Sequence, residues 1–208
     1  IGLVSMSEMA ENVAAIADRV DVPLIVHADT GFGNALNVQR TARVFARSGA
    51  SAIQLEDQTL PKRCGHLAGK SLVSAMEMVG KIKAAKDALA PWNTLVIART
   101  DAIALEGVSA ALDRAEYYAE AGADILFIEA PQDTETMRKI AQRFADRIPL
   151  LVNMIEGGKT PLLPLGTLGD LGFRLVIYPG GCVRALTFLR NQFYADLLHN
   201  GSTEIWQD

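Results

Sequence analysis

Six short apolar runs, each followed by a stretch of helical periodicity, constrain this chain more than any other feature. The runs cover residues 24–28, 52–55, 94–98, 125–128, 149–152 and 175–177, and Val, Ile, Leu and Ala dominate them. Strands that read as nearly continuous apolar runs are buried on both faces, as in a parallel sheet covered by helices. Helical stretches follow them at residues 35–47, 74–89, 107–121, 134–144, 164–171 and 183–198. Each has the length of a strand–helix–strand crossover. One more helix is expected at 7–20, with Met9, Val13, Ile16 and Val20 on one face. Asn34 is placed to cap the second helix, and Ser74 with Glu77 forms a capping-box pattern before the third.

A repeat of this kind builds either a doubly wound open sheet or an eight-stranded barrel. Two observations favour the barrel. Gly-Ala-Ser and Gly-Ala-Asp recur just before strands, at residues 49–51 and 122–124. Polar residues also leave nearly every strand at its carboxyl end, and in a barrel those ends converge on one site. The expected architecture is therefore a (β/α)8 barrel of the TIM type, one domain over residues 1–208. The first strand–helix unit is missing from this reading, and residues 1–4 could be the tail of a seventh strand. The chain opens Ile1-Gly2-Leu3-Val4, without an initiator Met or a charged leader, so it is expected to be incomplete at its N-terminus.

Half of the 208 residues are hydrophobic, ample for one core and short for two. The net charge is −4, with both signs interspersed and no basic block, so nucleic acid is not an expected partner. No apolar run approaches the roughly 20 residues that span a bilayer. The two cysteines, Cys64 and Cys182, do not make a disulfide framework, which points to a reducing, cytoplasmic setting.

The polar groups leaving the strands are His27 and Asp29, then Glu56 and Asp57, then Arg99 and Asp101, then Glu129, then Asn153. Alternation along a strand points His27 and Asp29 the same way, and likewise Arg99 and Asp101. Any one of these residues has an ordinary reading as a cap or an ion pair. Five successive strand ends carrying them suggest a ring of oxygen ligands suited to a hard divalent cation such as Mg²⁺. Residues 56–70 then form a long loop in which Cys64 stands among Lys62, Arg63 and His66. Cationic neighbours favour a thiolate and supply donors to an entering anion. Gly65 and Gly69 are expected to give this loop freedom to move. The plain reading is a surface loop with a free cysteine; the sharper one is a lyase loop over an anionic substrate. Residues 153–161 are a second unusual loop, whose glycines, Lys159 and Thr160 offer donors to a carboxylate. Cys182, before the last helix, reads as packing. His199 reads as a favourable charge at a helix end or a surface residue.

Together HADTGFGNALNVQR, QLEDQTLPKRCGH, ARTDA, IEAP and NMIEGGKTP resemble the isocitrate lyase/phosphoenolpyruvate mutase superfamily, from Gly2 to about Leu198. The KRCGH loop is similar to that of its carbon–carbon lyases, the 2-methylisocitrate lyase, dimethylmalate lyase and petal-death-protein-like branch. The resemblance implies Mg²⁺ (Mn²⁺ possible) and cleavage of a 2-hydroxy di- or tricarboxylate, with 2-methylisocitrate, giving succinate and pyruvate, the leading substrate. By position it implies that Cys64 is the general acid. Gly65 and His66 would help bind the departing carboxylate, and Arg99 would hold substrate charge. Lys62, Glu129, Asn153 and Thr160 would serve substrate binding, and Asp29, Glu56 and His27 the metal. It also implies a dimer or tetramer in which the last helix is exchanged between subunits. His27 stands where the family pattern has Asp, a change that would weaken the metal site, shift it toward Mn²⁺, Fe²⁺ or Zn²⁺, or mark a changed reaction. Competing readings are an oxaloacetate hydrolase, a phosphonate-related activity, and a non-catalytic carboxylate-binding barrel.

Overall fold

The computed structural model describes residues 2–207. Seven α-helices, six strands and a terminal 3₁₀ turn follow in the order α1 (Met6–Ala17), β1 (Ile25–His27), α2 (Ala35–Arg47), β2 (Ala52–Glu56), α3 (Ala75–Leu89), β3 (Leu95–Thr100), α4 (Ile103–Glu120), β4 (Ile125–Ile128), α5 (Thr134–Phe144), β5 (Leu150–Asn153), α6 (Leu165–Leu171), β6 (Leu175–Ile177) and α7 (Gly181–Asn200), with the turn at Glu204–Trp206. All six strands are parallel, and each pairs with the next in sequence order. A doubly wound sheet needs a reversal of strand order, and none occurs here. The chain winds in one direction, giving a curled six-stranded sheet, the arc of a barrel. Gly2 and Leu3 form a turn and Val4 a bend, so the expected strand tail is not formed there; Ile1 lies outside the described residues.

Strand alternation sorts the core into two layers. Ile53, Leu55, Val96, Ala98, Leu126, Ile128, Leu150 and Val152 face the helices and join the main core with Val38, Phe45, Met78, Ile82, Tyr118, Met137 and Phe144. The other face carries a smaller cluster of Ala52, Ile97, Ile125, Phe127 and Leu151, backed by Leu175 and Ile177. That inner layer is apolar at the amino ends of the strands and polar at their carboxyl ends. The floor of the site is thus a plug of packed side chains.

Helix ends largely follow their sequence signals. Asn34 accepts from the backbone of Leu36 and Asn37, and Asn37 returns the bond to the Asn34 N–H. Ser5 and Glu8 make a full capping box on α1, which the sequence reading missed. At α3 only half of the expected box forms. Ser74 Oγ accepts from the Glu77 N–H, while the Glu77 carboxylate lies 3.7 Å from Lys81 Nζ one turn on. Helix α1 stops at Ala17, and Ile16 and Val20 are half exposed rather than core. Helix α4 starts at Ile103 and kinks at Gly107 (φ 86°), where the sequence suggested a start. Cys182 lies in the first turn of α7 and is exposed, so the packing role expected for it is not observed.

Candidate active site

The β2 and β3 registers pair Glu56 with Arg99, which sets these two inward-facing side chains side by side at the carboxyl edge. Strand β4 pairs Phe127 with Arg99, and the Arg99 guanidinium carbon lies 5.0 Å from the centre of the Phe127 ring. Arg99 donates from Nε and Nη2 to the two oxygens of Asp101, at 2.9 and 3.0 Å. Glu56 and Glu129 stand 3.6 and 3.7 Å from it. This ring of carboxylates outweighs the penalty of burial and raises the Arg99 pKa, so the guanidinium is a permanent cation. Burial pushes Asp101 and Glu129 up, but the Arg99 charge prevails and holds both below the usual carboxylate range. Asp101 occupies only one edge of the guanidinium fork. The two N–H groups of Nη1 make no described hydrogen bond and suit an incoming carboxylate.

The loop after β2 is stapled at its base and laid over this hub. Gln58 and Leu72 form an antiparallel bridge. The Gln58 amide donates to Arg63 O and accepts from the Arg63 N–H, both at 2.9 Å. Lys70, buried, donates to the Gly65 carbonyl and reaches Asp101 Oδ1 at 3.3 Å. Gly65 is needed for closeness rather than mobility: a Cβ there would stand 2.5 Å from Glu129 Cγ and 2.6 Å from Arg99 Nη2. The three cations expected around Cys64 are engaged elsewhere. Lys62 faces His27, Asp29 and Glu56. Arg63 reaches Ala68 O. His66 Nδ1 accepts from the Lys159 N–H at 3.0 Å, while its Nε2 lies 3.1 Å from Glu129 Oε1 in a poorly aligned approach. His66 therefore ties the Cys64 loop to the second glycine-rich loop.

A cavity of about 310 Å³ opens between the two loops, lined in part by His27, Lys62, Cys64, Gly65, Arg99, Glu129 and Asn153. Seven of the eleven residues expected in the site thus share one space. His66 backs it through Glu129. Thr160 is buried with its hydroxyl unpaired but does not line the cavity. Asn153 donates to Glu129 Oε1 at 3.2 Å and keeps its own carbonyl oxygen unpaired.

Asp29 and Glu56 are almost wholly buried. Asp29 Oδ1 and both Glu56 oxygens lack a hydrogen-bond donor; Lys62 Nζ stands 3.9 Å from Asp29 and 3.8 Å from Glu56, and Arg99 Nε stands 3.6 Å from Glu56. Burial raises the Asp29 pKa, against the pull of His27 and Lys62. Orphaned buried oxygens of this kind fit a hard cation. The charge balance agrees: Lys62, Lys70 and Arg99 face the carboxylates of Asp29, Glu56, Asp101 and Glu129, too little positive charge to hold a polycarboxylate unaided. Among the described residues, however, no three His, Cys, Asp or Glu side chains converge as a ready metal cluster.

Asp57 departs from the expected strand-end ring. Alternation turns it away from Glu56 and into the protein, where it accepts from Thr100 Oγ1, Tyr118 Oη and the Asp101 N–H at 2.7, 2.8 and 3.0 Å. Arg114 Nη1 approaches it at 3.5 Å. Burial raises the Asp57 pKa in spite of these donors. The sequence reading missed Lys70, Tyr118 and Arg114. Lys70 closes the loop motif, but nothing local distinguishes it from a solvated lysine.

A family model described as phosphoenolpyruvate phosphomutase matches residues 1–196. The 2,3-dimethylmalate lyase of Eubacterium barkeri is 44% identical over 203 residues, covering 98% of this chain and 70% of that protein. The 2-methylisocitrate lyase of Bacillus subtilis is 46% identical over 202 residues, covering 97% of this chain and 66% of that protein. The chain thus spans about two thirds of the length of these curated relatives. A solved structure of oxaloacetate acetylhydrolase with 3,3-difluorooxalacetate superposes with a TM-score of 0.92 at 31% identity, covering 98% of this chain and 69% of that one.

Proposed function

The chain belongs to the phosphoenolpyruvate mutase/isocitrate lyase superfamily, and from that premise we propose that it is the barrel of a metal-dependent carbon–carbon lyase acting on a 2-hydroxy di- or tricarboxylate. The leading substrate is 2-methylisocitrate, cleaved to succinate and pyruvate. The observation that carries this reading is the cavity shared by Cys64 and Gly65 of the loop with Arg99, Glu129 and Asn153 of three different strand ends. In support, relatives named 2-methylisocitrate lyase and 2,3-dimethylmalate lyase are more than 40% identical over nearly the whole chain.

Asp29 and Glu56 would hold Mg²⁺, or Mn²⁺, at the 2-hydroxy acid end of the substrate. The ion would supply Lewis-acid polarisation of the hydroxyl and the nascent keto oxygen. Loss of the hydroxyl proton lets its electron pair form the keto group as the adjacent carbon–carbon bond breaks. The bond pair leaves on the second fragment as an enolate-type carboxylate. The free Nη1 edge of Arg99 faces that developing charge, and the Cys64 thiol delivers a proton to its carbon. Lys62 and Asn153 would orient the carboxylates, Glu129 holds Asn153 in place, Thr160 lies buried behind the cavity, and His66 holds the two loops together. The base that takes the hydroxyl proton is not assigned.

The six strands are read as part of a (β/α)8 barrel, and α7 as the helix exchanged in a dimer or tetramer. No helix is long and apolar enough to cross a membrane, and a cytoplasmic setting suits the metabolic substrate. A second reading, hydrolysis of oxaloacetate to oxalate and acetate, draws on the oxaloacetate acetylhydrolase superposition. The test is a panel of 2-hydroxy and 2-oxo di- and tricarboxylates with Mg²⁺, then Mn²⁺, followed by coupled reduction of the α-keto acid. Keto-acid release from one member, abolished by a chelator, is expected. Oxalate and acetate would favour the hydrolase, and silence across the panel would favour a binding protein.

A further inference from the structure

Helix α3 carries three lysines, and one of them is buried. Lys83 is exposed, and Lys86 pairs with Asp124 at 2.8 Å. Lys81 is 3% exposed and lies on the face that buries Met78, Ile82 and Ala85. Its ammonium donates to the Thr30 carbonyl at 3.1 Å. Glu77, whose side chain is half exposed, stands 3.7 Å away. Burial lowers the Lys81 pKa against the pull of Glu77. A buried ammonium seated on a neutral carbonyl is a costly way to fill a core position, which a methionine of similar length would fill without charge.

What Lys81 holds is the exit of β1. Three consecutive carbonyls there accept from three different elements. Asp29 O accepts from the Glu56 N–H at the end of β2, at 3.0 Å. Thr30 O accepts from Lys81 of α3, and Gly31 O accepts from Thr41 Oγ1 of α2 at 3.1 Å. The Gly31 N–H turns back to Ala28 O at 2.9 Å. Asp29 and Phe32 have left-handed backbones, with φ 54° and 59°. Residues with a Cβ keep such conformations only where their surroundings over-determine them. Lys81 is the one charged donor among the three. The Asp29 carboxylate accepts no described hydrogen bond and stands 3.9 Å from Lys62, so this backbone sets where it stands.

We propose that Lys81 is a positioning residue: from outside the cavity it clamps the turn that presents Asp29 to a divalent cation. The part played by Asp29 rests on the metal-dependent reading above, whereas the clamp on Thr30 does not. Lys81 does not line the cavity, so it acts on the site only through the backbone it holds.

Lys81→Met keeps the length of the side chain and removes the donor. Amide hydrogen exchange in the metal-free protein reads the clamp directly. The N–H groups of Gly31 and Glu56 report on the turn, and that of Leu126, bonded to Pro149 O, reports on the sheet away from it. In Lys81→Met, exchange at Gly31 and Glu56 should rise about tenfold or more relative to Leu126. An equal rise at all three would mark Lys81 as merely structural, and no rise at Gly31 and Glu56 would mean that the turn holds itself; either result overturns the proposal. Should Lys81→Met fail to fold, Lys81→Gln, too short to reach Thr30 but still polar, is read in the same way. Calorimetry with Mn²⁺ on the same proteins carries the test to the site. The variant should bind about tenfold or more weakly than the wild type, because a ligand displaced by a fraction of an ångström no longer fits the ion. Equal affinity in a variant with a loosened turn overturns the positioning role. A wild type that binds neither Mn²⁺ nor Mg²⁺, with the turn loosened in the variant, supports the clamp and sinks the metal-dependent reading alone.

Discussion

Cys64 and Gly65 are neighbours in sequence that serve the site in different ways, and their substitutions separate chemistry from closure. Serine at 64 keeps nearly the size of the exposed thiol but is a far poorer acid. Cys64→Ser should lower kcat about 100-fold or more with little change in KM, because the thiol acts only on the departing fragment. Alanine at 65 has no room against Glu129 and Arg99. Gly65→Ala should lift the loop, raising KM and lowering kcat together, for a loss of about 100-fold in kcat/KM. Steady-state kinetics on the accepted substrate checks both. A Cys64→Ser enzyme with full kcat would end the assignment of the acid. The sequence marked both residues but explained Gly65 by freedom of movement. The real constraint comes from Arg99 and Glu129, on β3 and β4, and no local signal carries a close approach between distant elements.

The exit of β3 is an element-scale device. Asp57 holds Thr100 and the Asp101 N–H in place, and Asp101 then aims Arg99 and Lys70. Arg114, from α4, bridges outward by donating to Val73 O at 2.9 Å and to Glu106, so the end of the loop and the end of the strand share one anchor. Strand alternation sets Glu56 and Asp57 on opposite faces, a consequence that the sequence reading did not draw when it counted both in the ring of strand ends. Tyr118 and Arg114 were unreadable as partners, because a helix periodicity says which face is buried and not what it meets. Asp57→Ala strands a buried hydroxyl, a phenol and a backbone N–H together. It should cost about 3–5 kcal/mol in urea unfolding, against about 1 kcal/mol for Tyr118→Phe, which removes a single donor. Equal costs would mean that the network is not organised by Asp57.

At the scale of the whole molecule, the repeat of strand and helix was legible because each unit writes its own periodicity, and the one-way strand order follows from winding consecutive units. What the pattern could not supply is the setting of α7. This 20-residue helix has no buried residue in the single chain. It exposes Val183, Leu186, Phe188, Leu189, Tyr194 and Leu198. Leu186, Leu189, Phe193 and Tyr194 line one groove with Trp206, and Phe193 packs edge-on against Trp206. A helix of this kind gains little from its own domain and needs an apolar surface to cover it. At its other end, Arg184 donates to the Glu156 carbonyl at 2.7 Å, which links α7 to the glycine-rich loop that His66 joins to the site. Exchange of α7 between subunits would therefore couple assembly to the seating of that loop. Leu186→Glu with Leu189→Glu removes two apolar side chains worth about 1.5–3 kcal/mol each when buried, so association should weaken by a hundredfold or more. Light scattering should then report a monomer where the proposed exchange of α7 makes the wild type a dimer or tetramer. The β-sheet signal in circular dichroism should persist, because the sheet packs on the other helices. An unchanged oligomer would place the subunit interface elsewhere and leave this apolar face to another partner.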